Sequence, residues 1–210
     1  MPINTLLIDL DDTVYPSNSG LWDLIKERIS LYMAERLHMD WEVIPRLRST
    51  YYREYGTTLR GLMAEYHIDR EDYLQYVHDV PLGEHIQPDP ALRQVLQDLP
   101  QRKIIFTNAD SDHAHRVTDI LGITDCFESV VDIRAIFPLC KPMPEAFQFA
   151  LEQTGEQVEN CAFLDDSVTN LAAARALGFY TVRVGSREVS EHYHAGIDRL
   201  HDICEVLPCH

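Results

Sequence analysis

Leu6, Leu7 and Ile8 run straight into Asp9, and Asp11, Asp12 and Thr13 come directly after. Three consecutive apolar residues suit a strand buried on both faces of a parallel sheet. A strand that ends in carboxylates sets negative charge at its C-terminal edge, and that edge of an open α/β sheet is where ligands bind. Aspartate is a poor strand former, so its placement here calls for a chemical reason. A nucleophile and a proton donor two residues apart, gathered around a cation, supply one.

The rest of the chain reads as a frame for that edge. Residues 18–37 carry apolar side chains at 21, 24, 25, 29, 32, 33 and 37, a helical spacing. Residues 41–80 stay helical in composition, with breaks expected at Pro45, Gly56 and Gly61, and Pro81, Gly83, Pro88 and Pro90 punctuate the stretch beyond. The next strand is Lys103–Thr107. Asp110 or Ser111 can cap a helix that runs to Leu121 and stops at Gly122. Ser129–Asp132 reads as a third strand, and Pro144 opens a helix reaching Thr154, with Gly155 as its stop. Cys161–Leu164 is a fourth strand that again ends in acids, Asp165 and Asp166. A helix over Leu171–Leu177 stops at Gly178, and Tyr180–Val184 is a fifth strand. This alternation predicts an α/β fold, a three-layer core with a central parallel sheet and helices on both faces. The helical block between the first two strands is an insertion placed over the sheet's C-terminal edge. The acidic C-terminal region either completes the sheet edge or mediates contacts.

Charge narrows the partners. The chain of 210 residues has 18 basic against 34 acidic residues, a net of −16, which opposes a nucleic-acid backbone. A small anionic substrate is still compatible, because one bound cation and one lysine reverse the sign locally. No apolar run has the length of a membrane span, and MPINTLLIDLDD lacks the basic leader of a signal peptide. Five cysteines without a CxxC pair then read as reduced thiols of a cytoplasmic protein.

Four sites recur at strand ends: Asp9 with Asp11, Thr107 with Asn108, Lys141, and Asp165 with Asp166. Taken singly, each has an ordinary explanation as a cap, a turn or a solvated charge. Taken together at one sheet edge, the carboxylates would repel and some would stay protonated. A divalent cation removes that conflict, and oxygen-only ligands favour Mg²⁺. Lys141 adds positive charge for a phosphoryl oxygen, and Thr107 offers a hydroxyl.

The segments DLDDT at 9–13, TN at 107–108, KP at 141–142 and DDS at 165–167 resemble, in order, the four motifs of the haloacid dehalogenase-like (HAD) superfamily. The resemblance implies a Rossmann-like core over residues 1–16 and 88–210 and a helical cap over 17–87. It implies that Asp9 attacks phosphorus to form an aspartyl-phosphate, and that Asp11 protonates the leaving oxygen and then takes a proton from water. Thr107 and Lys141 would hold the phosphoryl oxygens. Mg²⁺ would be held by Asp9, the Asp11 carbonyl and Asp166, with Asp165 helping directly or through water. The acid at position 11 separates phosphate chemistry from dehalogenation, which needs no acid for a halide.

VYPSNSGL at 14–21, YYREYGTTLRGL at 51–62 and TNADSDHAHRV at 107–117 are similar to the pyrimidine 5′-nucleotidase-like subgroup. That likeness implies nucleoside 5′-monophosphates as substrates, with other small phosphates as the wider class, and a monomer or homodimer. A sugar phosphomutase on the same scaffold is the alternative, and a non-catalytic phosphate-binding module a more distant one. Six of the ten tyrosines (51, 52, 55, 66, 73 and 76) lie in the helical block. Tyr51 and Tyr55 share a helical face, where an aromatic ring stacks a base or packs the block's own interior. Tyr55, Arg60, Asn18, Asn108 and His113 are the candidate substrate contacts. The His113-x-His115 and His192-x-His194 pairs, with His201 and Cys204, fit no zinc spacing.

Overall fold

The computed structural model describes residues 2–207, and the chain divides into two compact units, one of Met1–Ser19 with Leu82–His210 and the other of Gly20–Pro81. The first unit is built on six parallel strands: β1 (Thr5–Ile8), β2 (Arg102–Phe106), β3 (Ser129–Val131), β4 (Cys161–Asp165), β5 (Tyr180–Val184) and β6 (Ala195–Ile197). Their order is β3-β2-β1-β4-β5-β6, all neighbours parallel. β1 and β4 are buried along their whole length, which is why they read as unbroken apolar runs rather than alternating ones. The chain leaves β1 toward one side of the sheet and returns for β4 on the other, so the order reverses between these two neighbours. Ligand sites of open α/β sheets lie at such a switch point.

The helices of this unit are α5 (Leu82–His85), α6 (Pro90–Asp98), α7 (Ser111–Leu121), α8 (Ile133–Ile136), α9 (Pro144–Thr154) and α10 (Val168–Leu177). Asp110 caps α7 by accepting the His113 N–H at 2.9 Å, and Gly122 ends it in the left-handed region at φ 74°. The side chains of Phe106, Phe147 and Phe163 meet edge to face or tilted in the core between sheet and α9, with centroids 5.1–5.9 Å apart. The parallel sheet, the capped helices and the strand over Tyr180–Val184 match the sequence expectation. Helix α6 is masked in sequence by its proline, which occupies the tolerated first turn behind the Asp89 cap.

Strand β6 settles what the C-terminal region does: it completes the sheet edge. Three residues, Ala195-Gly196-Ile197, are too few to give a period-two signal, and His194 just before them ties β6 to β5. The His194 N–H donates to the Thr181 carbonyl at 2.9 Å, and the Thr181 N–H donates back to His194 Nδ1 at 3.0 Å. The imidazole stacks on Tyr180, with centroids 5.0 Å apart. Burial, reinforced by the Arg175 charge, holds His194 below its ordinary value. A histidine lowered in the folded state favours folding above its unfolded value of about 6.5, and that contribution is lost as pH falls through the folded value. Chemical unfolding from pH 7.5 down to 5.5 therefore costs the wild type more stability than His194→Asn, whose amide oxygen accepts the same N–H at every pH. Parallel pH profiles for the two proteins would refute this.

The second unit holds α1 (Leu21–Glu35), α2 (Ile44–Tyr55), α3 (Thr58–Tyr66) and α4 (Arg70–His78). Its interior is aromatic: Tyr32 meets Tyr73 and Tyr76 edge-on at 5.0 and 5.4 Å. Two expected breaks are corrected. Pro45 lies inside the first turn of α2, where its missing N–H costs nothing. Gly61 lies within α3, and a Cβ there would sit 2.3 Å from Tyr51 Cγ, so this glycine permits close packing rather than ending a helix. Gly56 does end α2, at φ 83°.

Among the described residues no helix is long and apolar enough to cross a membrane. Cys126, Cys140 and Cys161 are free thiols. Cys204 is disulfide-bonded, which corrects the expectation that all cysteines are reduced, and Cys209 lies outside the described residues. CxxC spacing gives no sign of this bond, because pairing at other separations depends on how the backbone brings two Cβ atoms together.

Candidate active site

The site grows out of the sheet register. Ile8 sits level with Ile105 on one side and Leu164 on the other, so the next residues along, Asp9, Phe106 and Asp165, emerge together at the switch point. Asp9 continues the ladder by donating its N–H to the Leu164 carbonyl at 2.9 Å. Leu10 is fully buried and Asp9 nearly so, while Asp11 is partly exposed. The chain then turns through Asp12 in the left-handed region at φ 56°, a conformation that aspartate tolerates better than most residues.

Lys141 is the centre of the charge arrangement. Its ammonium donates to Asp9 Oδ1 at 2.5 Å, to Asp165 Oδ2 at 2.9 Å and to the Phe106 carbonyl at 2.8 Å, which uses all three N–H bonds. The nitrogen lies 5.3 Å from the ring centres of both Phe106 and Phe163. Lys141 is only 1% exposed, so burial works against its charge; Asp165 and Asp9 override that and push it up to about 12. The backbone at Lys141 is clipped by Asn108, whose amide donates to the Lys141 carbonyl at 3.0 Å and whose oxygen accepts the Lys141 N–H at 2.9 Å. Asn108 thus aims the lysine.

Asp165 is fully buried and engaged on both oxygens. Oδ1 accepts the Ser167 N–H at 2.7 Å, Oδ2 takes the lysine, and the buried Asn170 amide reaches both at 3.2 and 3.0 Å. Asp166, next along, is partly exposed. Carboxylate oxygens of Asp9, Asp165 and Asp166 all lie within 4.8 Å of one another. Burial, with help from Asp165, pushes Asp166 up to about 7, and burial raises Asp9 well above the ordinary carboxylate range. Three carboxylates against one ammonium leave two negative charges in a space that resists them. Such an all-oxygen donor set fits a hard divalent cation of the Mg²⁺ type.

Asp11 faces different company. Its Oδ1 accepts the Tyr15 hydroxyl at 2.5 Å and lies 2.9 Å from His113 Nε2. Burial and the Asp11 charge raise the Tyr15 phenol well above its ordinary value, so it stays a donor. Thr107 is buried at the tip of β2, its hydroxyl accepting the Ala109 N–H at 2.9 Å.

The structure thus brings Asp9, Asp11, Thr107, Asn108, His113, Lys141, Asp165 and Asp166 to one sheet edge. His113, a candidate substrate contact, is wholly buried and turned to Asp11. Asn18 lies exposed on the single turn Ser17–Ser19. Tyr55 and Arg60 belong to the other unit, where the Tyr55 hydroxyl donates to Glu65 at 2.6 Å and Arg60 donates to the Tyr55 carbonyl. The Tyr55 ring meets Tyr51 edge-on at 5.9 Å; Tyr51 is buried, while Tyr55 stays partly exposed. Sequence reasoning missed Tyr15 and Asn170. Asn170 had a readable signal, a carboxamide one helical turn after the acid-rich strand end; Tyr15 looked like one aromatic among many.

Comparison with known proteins agrees with this geometry. The chain is 33% identical over 187 residues to Phosphate metabolism protein 8 of Saccharomyces cerevisiae, an alignment covering 81% of this chain and 58% of that protein. The chain therefore spans little more than half the length of the yeast relative. It is 24% identical over 196 residues to Glyceraldehyde 3-phosphate phosphatase of Methanocaldococcus jannaschii, covering 87% and 85% of the two. Its fold matches that of a HAD phosphatase from Thermococcus onnurineus with a TM-score of 0.65 at 18% identity, over 99% of each chain. The sequence pattern of the haloacid dehalogenase-like hydrolases matches residues 3–178, from before β1 to the end of α10. A match that takes in every residue gathered at the sheet edge, from Asp9 to Asp166, leaves one assignment: the chain belongs to the haloacid dehalogenase-like hydrolase family.

Proposed function

We propose that the chain is a Mg²⁺-dependent phosphomonoester hydrolase that works through an aspartyl-phosphate. The observation that carries the reading is the contact of Lys141 with Asp9 and Asp165 in a buried crevice where a third carboxylate, Asp166, stands within 4.8 Å. Asp9 is the nucleophile: Lys141 fixes its carboxylate and offsets the charge that approaches with the phosphoryl group. Asp11 gives a proton to the leaving oxygen and takes one from the hydrolytic water. Thr107 can donate its hydroxyl to a phosphoryl oxygen, and Lys141, whose three N–H bonds are taken up, serves the phosphoryl group through its charge beside Asp9.

Asp9, the Asp11 carbonyl and Asp166 would hold the cation. Asp165, with both oxygens already engaged, holds Lys141 and the loop. When bound, Mg²⁺ supplies charge neutralisation for the transferring phosphoryl group. The helical stretch expected over 17–87, of which Gly20–Pro81 forms the second compact unit, acts as the cap that reads the leaving group, and the sheet-bearing unit is the core.

The substrate class is a small phosphorylated metabolite, and the motif likenesses at 14–21, 51–62 and 107–117 favour nucleoside 5′-monophosphates, pyrimidine ones first. The name of the Methanocaldococcus relative adds triose phosphates to the compounds worth assaying. The test is phosphate release from a panel of uridine and cytidine 5′-monophosphates, triose and sugar phosphates, phosphoglycolate and p-nitrophenyl phosphate, with Mg²⁺ and with EDTA. Turnover that EDTA abolishes and Mg²⁺ restores is the expected result. A panel with no Mg²⁺-dependent release at all would defeat the reading, and an isomer formed without free phosphate would replace it with a phosphomutase.

A further inference from the structure

We propose that Tyr15 and His113 are positioning residues for Asp11, clamping one of its carboxylate oxygens so that the other carries the proton. This deepens the hydrolase reading above and rests on it. Both donors meet the same atom: the Tyr15 hydroxyl is 2.5 Å and His113 Nε2 is 2.9 Å from Asp11 Oδ1. They arrive from separate pieces of the fold, the turn after β1 and the first turn of α7, with His113 lying 102 positions beyond Asp11 in sequence. Neither is a surface accident, because Tyr15 is 2% exposed and the His113 side chain 0%. The His113 backbone is itself fixed by the buried Asp110 cap at 2.9 Å.

Asp11 keeps 13% of its side chain exposed and could take its hydrogen bonds from water. Burying a phenol and an imidazole to serve it instead costs desolvation of both, so mere satisfaction of a carboxylate does not explain the arrangement. Orientation does. The terminal torsion of an aspartate is broad and two-fold, and a general acid that swings loses proton transfer. Two rigid rings on Oδ1 stop that rotation and assign the proton to Oδ2.

The step itself balances simply. Asp9 attacks phosphorus, the bond from phosphorus to the leaving oxygen breaks, and that oxygen keeps the electron pair and takes the proton from Asp11 Oδ2. Water then attacks the aspartyl-phosphate, gives a proton back to Asp11, and Asp9 departs as carboxylate. An alkoxide leaving group needs the proton; a nitrophenolate leaves without it. Loosening the clamp therefore damages one class of substrate and spares the other, which a general loss of folding would not do.

The experiment compares kcat/KM, which reports on leaving-group departure, for p-nitrophenyl phosphate and for uridine 5′-monophosphate or whichever alkyl phosphate of the panel turns over fastest. Wild type, Tyr15→Phe, His113→Leu and His113→Gln are assayed with Mg²⁺. Tyr15→Phe is expected to lose about tenfold or more on the alkyl phosphate, a share of what general acid catalysis supplies, and less than about threefold on the aryl one. His113→Leu follows the same pattern, and His113→Gln, whose amide N–H can replace Nε2–H, recovers. If His113→Leu does not fold, Tyr15→Phe, which keeps the ring, decides the matter. Equal losses on both substrates, or no loss on either, in a series whose wild type is active would overturn the clamp alone. A wild type inert on the whole panel would overturn the hydrolase reading and the clamp with it.

Discussion

Replacing Asp9 by asparagine is expected to abolish turnover, by at least about 10⁴-fold, because a carboxamide oxygen cannot form the acyl phosphate that the proposed mechanism requires. The substitution is nearly isosteric, and the amide oxygen can still accept from the Lys141 ammonium, which sits 2.5 Å from Oδ1 in the wild type. The fold therefore survives, and the loss is chemical. Steady-state phosphate release measures the first half of this claim. Rapid acid quenching with a radiolabelled substrate measures the second: the wild type retains label on protein and Asp9→Asn does not. Near-normal activity in Asp9→Asn would mean that the nucleophile lies elsewhere.

Replacing Lys141 by methionine is expected to strike stability and activity together. Methionine fills much of the volume but leaves Asp9 and Asp165 facing each other without the ammonium that joins them. Breaking a buried ion pair by removing one partner costs about 3–5 kcal/mol, and Asp165, which is fully buried, has no water to turn to. Urea unfolding should show a midpoint shifted down with an unchanged slope, and phosphate release should fall below detection. Lys141→Arg tests whether charge alone suffices. Its planar guanidinium does not match a pocket that a compact ammonium fills with three convergent bonds, so activity should stay low even where stability is partly regained. An unshifted unfolding midpoint for Lys141→Met would show that the ion pairs contribute nothing net.

Other contacts explain why these two residues stand where they do. Asn108 clips the Lys141 backbone, and Asn170 with the Ser167 N–H secures Asp165, so the lysine and its acid meet in one geometry. A carboxamide that serves a neighbouring backbone looks the same in sequence as one that contacts a substrate. For that reason Asn108 reads as a substrate contact, and for the same reason His113 does, although its ring is sealed against Asp11. The tyrosines of the helical unit show the matching difficulty for aromatics. Tyr51 and Tyr55 do share a face, but what that face meets depends on Gly61 letting α3 close against α2.

The amino-acid sequence by itself determined the parallel sheet and the membership of the strand-end acids, because buried strands need continuous apolar runs and a carboxylate at the end of one is too costly to be incidental. It also determined most helix ends, since caps and left-handed glycines act over one turn. Only the tertiary structure decided which acid is sealed by partners and which stays open to a cation, that a phenol and an imidazole from remote segments converge on Asp11, and that a C-terminal edge strand exists. These are questions of register and of side chains meeting across long chain separations, and local pattern carries no term for either.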